Sequence, residues 1–278
     1  DSFEPPLKLA LDYFRDEEGR IRNVANVAPD DPGPTWVSGY VSLPDAEGRE
    51  RLVGCYTKIE PPMTSYRVGL CVWNDETANF ESVEVLWDKK DGGSEPKLQP
   101  VGHPSFWTDE SGKRWLLFGD PLPTIRMPAT FEGWRDRKQW ETLKPQKTFE
   151  SAEGRKVTPH RGSIAWNAYR NRWVTVFGEI KGDPSMLGEL WYAEAGSPLG
   201  PWGKAVKVLS HRKLSFYNPR LHPEFTPEDS PVLLFEGTYT HSFSGEARQT
   251  PRHDYNQILY RLDLDDPALV GVPALLAP

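Results

Sequence analysis

"HRGSIAWNAYRNRWVTVFGEI", residues 160–180, divides at its polar centre into two apolar-rich runs, 160–168 and 171–180. Both have strand length, and the second is rich in β-branched and aromatic residues, so the stretch reads as an antiparallel hairpin. A hairpin sets the start of its first strand beside the end of its second. His160 and Arg161 are therefore expected at one rim with Glu179.

The same grammar returns three times: "TWVSGYVSL" (35–43) before "ERLVGCYTKIE" (50–60), "VGHPSFWTD" (101–109) before "KRWLLFGDP" (113–121), and "YNPRLHPEF" (217–225) before "SPVLLFEGTYT" (230–240). Third strands are expected in "YRVGLCVWN" (66–74), "TIRMPATF" (124–131), "LGELWYAEA" (187–195) and "NQILYRLDL" (256–264). Outer strands are expected in "ESVEVLW" (81–87), "KQWETLK" (138–144) and "GKAVKVLS" (203–210). Long amphipathic helices and regular strand–helix crossovers are missing from the pattern, which favours radial repetition of sheets over βαβ units. The expected fold is all-β, a five-bladed β-propeller. Its fifth blade would be closed by both chain ends, from "LKLALDYF" (7–14), "GRIRNVA" (19–25) and "ALVGVPAL" (268–275), covering otherwise bare sheet edges. A β-sandwich is the architectural alternative. Without an evident linker, residues 1–278 read as a single catalytic domain.

Composition narrows the partners. Hydrophobic residues make up 37% of the 278, with 11 Trp, 10 Tyr and 12 Phe, which suits a folded chain rich in amphipathic rings. The 33 Lys and Arg against 40 Asp and Glu leave a formal charge of -7, which disfavours nonspecific attraction to nucleic acid or anionic lipid. No run reaches the roughly 20 apolar residues of a membrane span. Cys55 and Cys71 fall on neighbouring strands and are expected as buried thiols, with a cross-strand disulfide as the alternative. The chain starts "DSFEPP" without Met, and a secreted or periplasmic protein is the expectation. Six scattered histidines form no short metal motif. No cofactor is required by the sequence, although loops of distant blades leave room for a structural Ca²⁺. Oligomeric state is open.

Strand direction collects polar groups at one mouth. His103 is expected level with Asp120, His160 and Arg161 with Glu179, and Tyr217 and Asn218 with Glu236. Each alone could simply satisfy neighbouring backbone groups. Together, paired carboxylates can divide acid and base work. Glu179 follows the apolar "WVTVF" and is the expected proton donor; Glu236 ranks ahead of Asp120 as the second carboxylate. His103, His160, Arg161, Tyr217, Asn218, His222 and Tyr239 are the expected ligand-binding groups, with Tyr hydroxyls and aromatic faces suited to carbohydrate.

The segments "FGDPLP" (118–123), "TVFGEI" (175–180) and "LGELWYAEAGSPLGPWGKA" (187–205) resemble the five-bladed propeller glycoside hydrolases that include arabinanases, arabinofuranosidases and xylosidases. That resemblance implies two carboxylic acids for glycosidic cleavage and a third to orient them, with Asp120 matching the orienting Asp and Glu179 the general acid. The base expected early in the first blade has no counterpart in "TWVSGYVSL"; Asp31 and Glu236 are the substitutes. The expected function is hydrolysis of a plant-, algal- or microbial-type polysaccharide or oligosaccharide. Two alternatives remain. One is a polysaccharide lyase using His160, Arg161, Tyr217, His222 and Tyr255 on a uronate-containing glycan, and the other is a noncatalytic glycan-binding propeller.

Overall fold

The computed structural model of the chain describes residues 12–28, 30–183, 185–245 and 254–270. They fall into two compact units, one within residues 1–37 and 51–96, the other within 38–50 and 97–278.

The first strands in the chain are β1 (Thr35–Pro44), β2 (Glu50–Glu60), β3 (Thr64–Asn74) and β4 (Asn79–Asp88). In the first unit β2, β3 and β4 form an antiparallel meander. Lys58 of β2 is buried, and its ammonium donates to the carbonyls of Asp31 at 3.1 Å and Gly33 at 3.2 Å and to Thr35 Oγ1 at 3.1 Å. Tyr66 adds a 2.6 Å bond to the Pro32 carbonyl, and Arg67 pairs with Asp31 and Asp88. The proline-rich loop is thus wound around a buried cation that satisfies acceptors no strand can reach. Lys58→Met is expected to destabilise this unit by about 1–3 kcal/mol, the cost of leaving buried acceptors unpaired; urea unfolding curves would measure it. Cys55 and Cys71 are both buried thiols, and burial pushes the Cys55 thiol up to about 12.

The second unit holds three further sheets of three or four strands and one two-stranded sheet. The second sheet runs β5 (His103–Thr108), β6 (Arg114–Gly119), β7 (Pro123–Pro128) and β8 (Glu141–Thr142), with the short helix α1 (Phe131–Arg135) before β8. A two-stranded ribbon, β9 (Phe149–Glu150) with β10 (Lys156–Val157), precedes the third sheet. That sheet comprises β11 (Pro159–Asn167), β12 (Arg172–Glu179), β13 (Glu189–Ala195) and β14 (Val206–Ser210). The last contains β15 (Ser215–Leu221), β16 (Val232–Thr240) and β17 (Asn256–Asp263), and α2 (Pro267–Val270) follows it.

Inner strands touch directly: Ser105 Oγ donates to the Ile164 carbonyl at 3.0 Å, and the Leu221 amide donates to Ser163 Oγ at 2.7 Å. The sheets of this unit therefore follow one another in a β-propeller arrangement. The third sheet lies between neighbours, and β12 from Trp173 onward and all of β13 are buried at every position. Phe177 and Trp191 face a core shared with Trp115 and Phe149, whereas Val176 and Tyr192 face one shared with Phe216 and Phe235. Such two-sided burial explains the near-continuous apolar run of "WVTVF", whose one hydroxyl, on Thr175, donates to the Ser163 carbonyl at 3.0 Å.

The expected five blades are corrected to four sheets of blade type among the described residues. Of the segments assigned to a fifth, Arg15 and Ile21 make a single antiparallel bridge, and residues 267–270 form a helical turn rather than a strand. Residues 7–11 and 271–275 lie outside the described residues. Among the described residues no helix is long and apolar enough to cross a membrane.

Candidate functional site at the mouth of the second unit

Three inner strands begin at the same end of this unit, and their first residues build the site. Gly102 has φ 87°, and a Cβ there would lie 2.3 Å from the Gly119 carbonyl oxygen. Only glycine permits that approach, which sets His103 opposite Gly119 and beside Asp120. At the start of β11 a bulge between His160 and Gly162 puts Arg161 at φ 53°. In β15 a bulge between Tyr217 and Arg220 puts Asn218 at φ 50°. Non-glycine residues in this region carry strain that the surrounding structure must hold. Two successive inner strands thus share one re-aiming device, and bulges of this kind turn side chains away from the ladder.

The first bulge delivers Arg161 to Asp120: Nη1 donates to Oδ2 at 2.5 Å, and the Gly162 amide donates to Oδ1 at 2.7 Å. Arg161 also interacts electrostatically with Tyr217, and the His160 ring lies 6.4 Å from that of Tyr217. Arg161 was expected level with Glu179; its partner is Asp120 instead, because the bulge reverses the direction its side chain takes.

His103 feels Asp120, Arg220, Glu236 and His222 together, which places these groups around it. Burial, opposed by the two carboxylates, holds its pKa down to about 4, so it is neutral at physiological pH. His222 behaves in the opposite sense. Burial alone would lower it, but Glu224, with Oε1 2.8 Å from Nδ1, and Glu236, with Oε1 3.4 Å from Nε2, raise it to about 9. The Nε2 approach to Glu236 is bent, an ion pair rather than a full hydrogen bond. His222 in turn holds Glu236 below the usual carboxylate range, helped by Gln257 of β17. Asp120 and Glu236 thus both act on the charge of His103.

Glu179 belongs to another network. It ends β12 on the face shared with Phe177, and its side chain is 4% exposed. Arg155 grips it with two bonds of 2.6 and 2.7 Å and reaches Glu189 at 3.2 Å, while Lys207 pairs with Glu189 at 2.5 Å. Burial first, and Glu189 second, push the Glu179 carboxyl up against the pull of Arg155. The expected convergence of Glu179 on Asp120 and Glu236 is thus corrected. Tyr239 packs in the core against Phe216 at 5.5 Å, and Asn218 stands exposed at its bulge. Asp31, the substitute base, is locked by Arg67 in the first unit.

Sequence reasoning passed over Arg220, Glu224 and Gln257, although "YNPRLHPEF" held two of them. No periodic signal marks Arg220 and Glu224, since their placement follows from the second bulge and the turn after β15, and Gln257 lies on β17 opposite Thr238. Among the described residues no group of three or more His, Cys, Asp or Glu stands ready for a metal ion.

No family model matches the chain, and no curated protein matches it. Solved structures similar to it include an endo-1,5-alpha-L-arabinanase from Thermotoga petrophila RKU-1, at 12% identity and a TM-score of 0.47 over 82% of this chain. Another is the alpha-L-arabinanase of Cellvibrio cellulosa, at 12% identity and a TM-score of 0.48, covering 86% of this chain and 76% of that one. A third is a putative exo-beta-1,3-galactanase from Bifidobacterium bifidum s17, at 11% identity and a TM-score of 0.46, covering 84% and 69%. The chain spans 57% of the length of the Thermotoga enzyme. These structures are two arabinanases and a galactanase, each at 11–12% identity to this chain.

Proposed function

We propose that the mouth of the second unit binds a glycan and hydrolyses a glycosidic bond, with Glu236 as general base. The observation that carries this reading is the pairing of Glu236 with the His222 imidazolium, which keeps the carboxylate ionised while leaving its side chain 31% exposed to a ligand. Glu236 takes the proton of an attacking water. The water oxygen bonds to the anomeric carbon, and the departing sugar oxygen takes a proton from the solvent-open side. Asp120, fixed by Arg161 and the Gly162 amide, orients sugar hydroxyls. Glu179 is assigned to support of the third sheet rather than to proton donation.

Elimination is the second reading, and one observation favours it: His103 is neutral at physiological pH and has Arg220 and His222 nearby as cations, as a base removing a proton beside a uronate carboxylate requires. A polysaccharide panel separates the two. Hydrolysis is expected to release reducing ends without a new ultraviolet absorbance, whereas an unsaturated uronate product would assign the site to elimination. Binding without either product would leave a lectin-like propeller.

A further inference from the structure

A cavity of about 260 Å³ runs along the inner strands of the second unit from His103, Arg220 and Glu224 to Phe106 and Trp166. Its volume is just under the roughly 300 Å³ at which small-ligand clefts begin, so it holds part of a glycan chain. One end is charged. The other offers two rings that are 38% and 46% exposed, suited to the apolar face of a sugar.

The cations around the charged end are not equally committed. Arg161 is engaged by Asp120 and Tyr217, and His222 is held between Glu224 and Glu236. Arg220 differs. Its one ion pair among the described residues is a 4.0 Å approach to Glu224, too long for a hydrogen bond, and its side chain is 43% exposed. Glu224 already receives His222 at 2.8 Å. Arg220 stands opposite Glu236 across β15 and β16, and its charge reaches His103. A guanidinium presents its N–H donors in a planar fork that matches a carboxylate or sulfate oxygen pair. Arg220 lines the cavity.

We propose that the glycan taken by this site is anionic and that Arg220 receives its negative group, the carboxylate of a uronic acid or a sulfate ester. The proposal rests on the reading of the mouth as a glycan site and narrows it to acidic sugars. Arg220 then sets specificity, and the bound anion lies at the charged end of the cavity with His103.

Calorimetric titration of the whole chain with an oligogalacturonate, its methyl ester, a sulfated galactan oligosaccharide and a neutral arabino-oligosaccharide tests this. The acid or the sulfate is expected to bind at least about tenfold more tightly than the uncharged ligands, as a charge-assisted pair warrants, and whichever of the two wins identifies the anion. Arg220→Gln should erase the preference while keeping the affinity for the methyl ester, and Arg220→Lys should restore part of it. If neither the acid nor the sulfate binds the wild type more tightly than the methyl ester and the neutral sugar, the anionic assignment is overturned and the glycan reading stands. Binding of none of the four overturns both. The acid-versus-ester comparison needs only the wild type, so a variant that fails to fold does not remove the test.

Discussion

Replacing Glu236 with Gln is expected to lower turnover on the glycan substrate by roughly 10²–10⁴-fold, the usual worth of a general acid or base, with substrate affinity and fold retained. Gln is isosteric, so Gln257 and the β16 ladder keep their partner, and what disappears is the basic oxygen. The pH profile carries a second consequence. His222 holds Glu236 below its ordinary value of 4.5, so the acid limb of kcat/KM should lie under that value in the wild type. His222→Gln removes the cation that depresses the pKa, and the limb should move upward. Equal kcat in wild type and Glu236→Gln, or an acid limb indifferent to His222, would remove Glu236 from the chemistry.

How much of this could be read in advance differs by level. Strand order was legible nearly everywhere, because alternation and turn chemistry are local. Expected strands such as 171–180, 187–195 and 256–264 overlap β12, β13 and β17 closely. The second sheet was least regular in sequence, and there α1 occupies part of the expected third element while β8 shrinks to two residues. His103 beside Asp120 was legible for the same reason, since hairpin register follows from loop length. Partner choice within the mouth was not. Arg161 reaches Asp120 because a bulge puts its backbone at φ 53°, and a conformation that β-region preferences disfavour leaves no periodic trace. Arg155, which captures Glu179, lies in the turn between β9 and β10, and that ribbon is too short for any hydrophobic pattern.

Arg155→Leu is expected to cost about 3 kcal/mol in stability, the low end for removing one partner from buried charge, because the Arg155 side chain is itself 43% exposed. Glu179 and Glu189 would remain 4% and 0% exposed with only Lys207 to offset them. The sign of the pH dependence follows from Glu179. Its folded pKa is raised above the ordinary value of 4.5, so its contribution to stability is fully present below that value and is lost as pH rises through the folded pKa. Losing Arg155 removes a group that pulls this pKa down, so the penalty should be small in acid, where Glu179 carries its proton, and largest at neutral pH. Denaturant unfolding at both conditions measures it. Adding Glu179→Gln to Arg155→Leu removes the stranded charge and should recover most of the loss, with a coupling that independent sites would not show. Glu179→Gln alone should leave kcat near the wild-type value. Should it instead abolish turnover in a folded protein, Glu179 would be the proton donor that the strand pattern suggested, and Arg155 the group that holds it ready.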